Sequence, residues 1–257
     1  MITNFKFGIT ERGDAGLDLS WIKRLNAVVG AIIISKSDSP ELRDALLKHQ
    51  DKCIYHATCT GLGGTLFEPN APTYEKKLAH IYDLIMRGFP RKQIVLRIDP
   101  LIPITWVPTI EKNLNIDYIP TLKNILQFAQ ENEIETIRYS YLDLYDHNIE
   151  RFVKLPFKFN SYGKLTKNEI RLEEINPNLK YEACSETYVN PEHKVGCISR
   201  NDLVRLGIEH MYRFTGSSHQ RIECLCPCQK LELLNRNYQC DYKCVYCYWK
   251  DKNDRKD

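Results

Sequence analysis

The 257-residue chain lacks any uninterrupted apolar run long enough to cross a bilayer, and its opening, MITNFKFGITERGD, has no basic segment followed by an apolar stretch. Neither a membrane partner nor a secretory leader is therefore expected, and the predicted compartment is the cytoplasm. A dominant charge is missing too: 36 Lys and Arg stand against 33 Asp and Glu, leaving a formal net charge of +3. With no global field to gather a polyanion, a small-molecule substrate is expected rather than a nucleic acid. The pairs Lys23-Arg24 and Arg91-Lys92 read as ordinary solvated charges. His56, His80, His147, His193, His210 and His219 form no HxH or HxxxH spacing, so none is read as a metal ligand. Repeats and low-complexity tracts are absent, and 43% hydrophobic with 27% charged residues excludes disordered and collagen-like chains.

What is present is alternation. Apolar or β-branched runs at 28–35, 52–58, 93–98, 136–142 and 179–184, with a weaker one at 5–10, alternate with amphipathic stretches. Those stretches, at 17–26, 40–50, 74–87, 121–131 and 144–153, carry apolar residues at helical spacing. Ser39 before Pro40 and Glu41 predicts a capped helix start, and Gly88 before Pro90 a helix end. Six β-α steps predict an α/β fold, specifically an incomplete TIM-like (β/α) barrel over 1–189, although an open doubly wound sheet gives the same periodicity. From 190 to 257 the chain is richer in cysteine and short loops, with one helical stretch at 201–211. This part is expected to be a cysteine-rich C-terminal extension packed on the barrel, its charged end from 250 onward frayed.

Ten cysteines in a reducing compartment read as thiols or metal ligands rather than disulfides. Six of them fall in CLCPC at 224–228 and CDYKCVYC at 240–247. The three-then-two spacing of Cys240, Cys244 and Cys247 lets one loop wrap three thiolates around a face of a cubane and leaves the fourth iron without a protein ligand. Tyr242, Tyr246, Tyr248 and Trp249 flank the loop and are placed to shield it. A zinc site built from two cysteine pairs of this region, in a module contacting RNA or a protein, is the alternative. Cys224, Cys226 and Cys228 allow three readings: ligands of a second metal, a cover over the first, or small core residues. Cys53, Cys59, Cys184 and Cys197 have no assigned role.

Ligands of parallel β/α folds bind beyond the carboxyl ends of the strands, which makes the residues following each β-run candidates. Thr58 and the glycines Gly61, Gly63 and Gly64 offer a hydroxyl and close backbone approach, a flexible loop being the plainer reading. Arg97 and Asp99 alternate on one strand, so both face the same way and can pair or jointly grip a zwitterionic ligand. Ser140, Tyr141 and Asp143 finish another strand, and Glu182 and Cys184 a later one. Asp14 and Asp18 follow the first strand, where they can accept hydrogen bonds from a base or cap the next helix.

The cysteine spacing followed by a tyrosine-tryptophan pair resembles the cluster loop of radical S-adenosylmethionine enzymes. Its place late in the chain, after Cys226-Pro-Cys228, resembles the branch of that superfamily whose motif is C-terminal and locally similar to that of spore photoproduct lyase. Shorter matches, TGLGG at 60–64 with Glu68-Pro69 and RIDP at 97–100 with Ile102-Pro103, extend the resemblance over about half the chain. It implies a 4Fe-4S cluster on Cys240, Cys244 and Cys247, and an electron donor such as flavodoxin or ferredoxin. It further implies S-adenosyl-L-methionine held by Gly61, Gly63, Gly64, Arg97, Asp99, Ser140, Tyr141 and Tyr246. Whole-chain resemblance to the queuine lyases of that branch implies a deazaguanine base as substrate, with Asp14, Thr58, Glu68, Asp143 and Glu182 as recognition candidates. A DNA lesion lyase is the enzyme alternative, against which the missing basic surface counts.

Overall fold

The computed structural model describes residues 6–102, 107–108, 118–143, 145–152, 154, 157–158, 170–184, 186, 189–211, 225–226 and 229–252. Its strands are β1 Lys6–Ile9, β2 Ala31–Ser35, β3 Cys53–Thr58, β4 Ile94–Leu101, β5 Val107–Pro108, β6 Thr136–Tyr141, β7 Phe157–Lys158, β8 Lys180–Cys184, β9 Lys194–Val195 and β10 Gln229–Glu232. Its α-helices are α1 Pro40–Lys48, α2 Tyr74–Met86, α3 Tyr118–Glu131, α4 Asp146–Phe152, α5 Leu172–Ile175 and α6 Arg200–Arg205. Leu144 and Val153, the ends expected for one helix, lie outside the described residues, as do Pro103, His219, Cys224 and Cys228.

Eight strands form one sheet in the order β10-β1-β2-β3-β4-β6-β8-β9, and every pairing in it is parallel. Strands β5 and β7 pair antiparallel, separately from it. Among the described residues no pairing joins β10 to β9, so the sheet is open, curled as a half-barrel. This is the α/β class that the alternation predicts. The stretch from residue 190 supplies both edge strands, β9 and β10, and places Leu233 and Leu234 in the core.

The central strands are apolar on both faces, as a parallel sheet covered by helices requires. Alternate residues divide between two cores. Ala31, Ile33, Tyr55, Leu96, Ile137 and Tyr139 pack with Leu42, Leu46, Ile81, Leu84, Ile125 and Leu126 of α1 to α3. Phe7, Ile9, Ile32, Ile54 and Val95, of the opposite parity, pack with Ile198 and Leu203 on the inner face. Each such side chain fully withdrawn from water contributes ~1.5–3 kcal/mol. The same inner parity carries His56, Thr58, Arg97, Asp99, Arg138, Ser140, Glu182 and Cys184 further along the strands, so the inner face turns from apolar to polar toward the strand ends.

Helix ends follow local chemistry. Ser39 Oγ accepts from the Leu42 amide at 3.2 Å, with Pro40 in the first turn. Helix α2 closes in a Schellman motif: Gly88 has φ of +96°, its amide donates to Ile85 O at 2.9 Å, and Phe89 N donates to Leu84 O at 3.2 Å. Helix α3 begins at Tyr118, ahead of the expected 121, because Pro120 sits in the first turn, where no amide donor is needed. The stretch expected to be helical at 17–26 is a 3-10 helix, Leu19–Ala27, capped by Asp18, which accepts from Ser20 N at 2.9 Å. The stretch at 201–211 divides into α6 and a 3-10 turn, Glu209–Met211, around Gly207 with φ of +69°.

Candidate functional site

A cavity of about 540 Å³ opens where β1, β2, β3, β4, β6 and β8 end, within the size range of small-molecule sites. The cysteine loop of residues 240–247 forms the opposite wall. On the strand side, Arg97 Nε donates to Asp99 Oδ2 at 2.7 Å, a second bond runs from Nη2 to the same oxygen, and Ser140 Oγ donates to Asp99 Oδ1. Both Asp99 oxygens are thus engaged. Arg97 Nη1 and Thr58 Oγ1, both on residues of the cavity wall, are buried without a hydrogen-bond partner. A buried donor left unpaired costs ~1–3 kcal/mol, which an anionic or carboxylate-bearing ligand would recover.

The cysteine loop is bound to the rest of the molecule from three sides. Val245 N donates to Phe67 O at 3.0 Å, Asn70 Nδ2 to Asp241 O at 2.7 Å, and Tyr246 OH to Glu68. From α4, Asn148 Nδ2 donates to Tyr246 O at 2.9 Å, and Arg151 reaches Cys247 O at 2.8 Å and Trp249 O at 2.9 Å. Gln239 Nε2 donates to Cys244 O at 2.7 Å. Within the loop, Lys243 takes a left-handed φ of +53°, and turns close through Lys243 N to Cys240 O and Cys247 N to Cys244 O, both 3.1 Å. Cys240, Cys244 and Cys247 all line the cavity.

Burial pushes the Cys240 thiol up to about 11 and raises Cys244 well above the ordinary thiol range. Cys247 is raised as well, again chiefly by burial. Beside them, burial alone would lower the Lys36 ammonium, but the Glu68 carboxylate 2.9 Å away and Cys244 raise it. A cationic group bound by the three sulfurs would reverse the burial penalty on their thiolates, since coordination deprotonates a thiol outright. Among the described residues no group of three or more His, Cys, Asp or Glu side chains is set to hold one metal ion. Three thiolates of a cubane bind separate irons, an arrangement distinct from that of a single-ion site.

Residues 20–249 match the family model described as a domain of unknown function, DUF1848. The chain belongs to that family. No curated protein matches it. Among the described residues of this DUF1848 chain, no helix is long and apolar enough to cross a membrane.

Of the candidates read from sequence, Asp14, Thr58, Arg97, Asp99, Ser140, Tyr141, Asp143 and Tyr246 line the cavity with the three cysteines. Asp14 is already satisfied there: it accepts from Gly16 N at 2.8 Å, Ser35 Oγ at 2.6 Å and Lys36 N at 2.6 Å. Gly61, Gly63, Gly64 and Glu68 are not on the cavity wall. Gly61 and Gly64 adopt φ of +82° and +74°, and a Cβ on Gly63 would meet Pro72 O at 1.7 Å, so the glycines shape a tight loop. Glu68, which accepts from Thr60, Lys36 and Tyr246, joins that loop to the cysteine loop. Glu182 also lies off the cavity, held by Arg138 and by Asn201 Nδ2 at 2.7 Å. In register it pairs with Arg138, one inner-face step short of the cavity residues Ser140 and Cys184.

Sequence reasoning did not single out Lys36, Glu11, Glu186 or Cys197, all on the cavity wall. Lys36 directly follows β2, so the strand-end rule that found Arg97 and Ser140 would have reached it. Glu186 accepts from Tyr141 N at 2.8 Å across the strand ends. Glu11, bonded by Lys230 at 2.6 Å, is pushed up to about 7, mainly by burial, and had no local signal because its partner is far along the chain.

Proposed function

We propose that this chain is a radical S-adenosylmethionine lyase of incomplete (β/α)-barrel type, with queuine as the best-matching substrate and 7-aminomethyl-7-deazaguanine as the released precursor. The observation that carries the reading is the cavity itself. Three cysteines in CxxxCxxC spacing face strand-end residues with an unpaired buried donor, Arg97 Nη1, across a space of about 540 Å³. Cys240, Cys244 and Cys247 would hold a 4Fe-4S cluster whose fourth iron has no protein ligand. When bound and reduced, that cluster would supply the electron for reductive cleavage of S-adenosylmethionine and so the radical chemistry that removes hydrogen from a substrate.

The chain's own residues do the positioning. Asp99 holds Arg97 from below and is itself fixed by Ser140, so the guanidinium is oriented with one N–H pair left for a ligand carboxylate. Asp99 therefore acts on the cofactor through Arg97. Tyr242, Tyr246, Tyr248 and Trp249 line the wall near the cysteines, and the buried Tyr242 and Tyr246 would shield a bound cluster from solvent. Asp143 and Glu186, at the ends of β6 and β8, are the carboxylates placed to meet the donor edge of a deazaguanine.

Anaerobic incubation with reductant, S-adenosylmethionine and queuine tests the reading. Deoxyadenosine and the 7-aminomethyl precursor are expected together, and Cys244→Ala should abolish both. Purified protein holding one zinc and no iron would overturn the proposal, as would deoxyadenosine release undiminished in Cys244→Ala.

A further inference from the structure

A second group of thiols lies against the same cavity, away from the cysteine loop. Cys184 ends β8, and Cys197 follows β9 by two residues; the strands pair with Cys184 opposite Val195. The two sulfurs are 3.7 Å apart, and both residues line the cavity. Cys226 hydrogen-bonds Cys197 as well, and the Lys230 ammonium acts on Cys197 while bonded to Glu11 at 2.6 Å. Nothing in the proposed reaction uses these groups.

We propose that Cys184 and Cys197 form a redox-active dithiol that closes reversibly to a disulfide by exchange with a small disulfide of the glutathione type. Cys197 is the attacking sulfur. Hydrogen bonds from Cys184 and then Cys226, helped by Lys230, hold its thiol well below the ordinary range although burial opposes them. Cys184, as donor to that sulfur, is held protonated. The Cys197 thiolate attacks one sulfur of the small disulfide, forming a mixed disulfide and expelling one thiolate, which takes up a proton. Cys184 then loses its proton to solvent and attacks Cys197 Sγ, breaking the mixed disulfide and expelling the second thiolate. Two protein thiols are oxidised and one small disulfide is reduced to two thiols. Forming the bond draws the sulfurs together from 3.7 Å to the ~2.05 Å of an S–S bond. The bond ties the end of β8 to the turn after β9 on the cavity wall, so the wall would report the thiol balance of its surroundings.

The test uses the full chain, reduced, titrated anaerobically with glutathione disulfide, then alkylated and peptide-mapped. A Cys184–Cys197 link that dithiothreitol reverses is expected. Cys184→Ser should instead accumulate glutathione on Cys197, Cys197→Ser should yield neither product, and Cys226→Ser should keep the link. Because a misfolded Cys184→Ser would also expose Cys197, the wild-type chain is mapped again in denaturant, where the yield of this link should fall at least tenfold. Equal yields with and without denaturant overturn the proposal. So does a link from Cys197 to Cys226, or full alkylation of Cys184 and Cys197 after treatment. The cysteine loop can be replaced by serine at Cys240, Cys244 and Cys247 in the same assay, so failure here is distinguishable from failure of the cluster reading.

Discussion

Arg138 is fully buried, and its guanidinium donates to Glu182 at 2.9 Å, Asp202 at 2.9 Å, Ser199 Oγ at 3.0 Å and Cys197 O at 3.1 Å. It closes the interior beneath the cavity and seats α6. Arg138→Met would strand two buried carboxylates, and urea unfolding should show a loss of ~3–5 kcal/mol; a loss below 1 kcal/mol would mean the carboxylates find water or protons easily. His56, next to Arg138, is pushed down to about 3, first by burial and then by Arg138, and stays neutral in the fold. Its folded pKa lies below the unfolded value, so the unfolded chain binds the extra proton and His56 costs stability as pH falls from 6.5 toward 3. Glu11, raised to about 7, gives the opposite slope. The stability difference between wild type and His56→Gln isolates the histidine: it should shift by ~1.4 kcal/mol per pH unit below 6.5 in the mutant's favour, and a constant difference refutes the assignment. Glu182 shows what sequence cannot resolve at this scale. Its position near a strand end made it a site candidate, yet depth along the inner face depends on register with β6, where Arg138 stands opposite.

Most elements were legible because their patterns are local: β3, β6 and α1 begin within a residue of where burial periodicity and Ser39-Pro40 predict them. The 3-10 character of Leu19–Ala27 was not, since spacing of apolar residues cannot tell a tight helix from an α-helix. Nor was the partnership between the glycine loop and the cysteine loop, whose bonds join residues about 180 apart, as Tyr246 to Glu68 does. The resemblance assigns the glycines to ligand contact because local pattern shows each loop but not the pairing between them. That partnership predicts how the loop fails. Arg151→Ala removes the bonds to Cys247 O and Trp249 O while leaving every strand pairing in place. On the proposed cluster reading, iron bound after anaerobic reconstitution should fall several-fold with unchanged far-UV circular dichroism, and Arg151→Lys should recover little because one ammonium cannot span both carbonyls. Full iron content in Arg151→Ala would show that α4 does not position the loop.

At the scale of the molecule, the question is whether residues from 190 onward are an addition or a part of the sheet. The compositional break at 190 suggests an addition, but composition does not report pairing between distant segments, and the sequence QKLE of β10 has no apolar run to announce a strand. In the structure β10 pairs with β1 through four residue pairs, from Lys6 with Gln229 to Ile9 with Glu232. Leu233 is fully buried against the outer core, and Cys197 O, Ser199 and Asp202 supply three of the four partners named for Arg138. A chain ending at 189 would leave β1 and β8 as exposed hydrophobic-sheet edges, Arg138 short of its partners and Phe7 and Ile9 without Ile198 and Leu203 over them. Such a truncation should lack a cooperative unfolding transition and aggregate at concentrations where the full chain is soluble. A truncated chain that unfolds cooperatively would instead establish a boundary at 189, and the cavity would then lie between two separately folding units rather than at the end of one sheet.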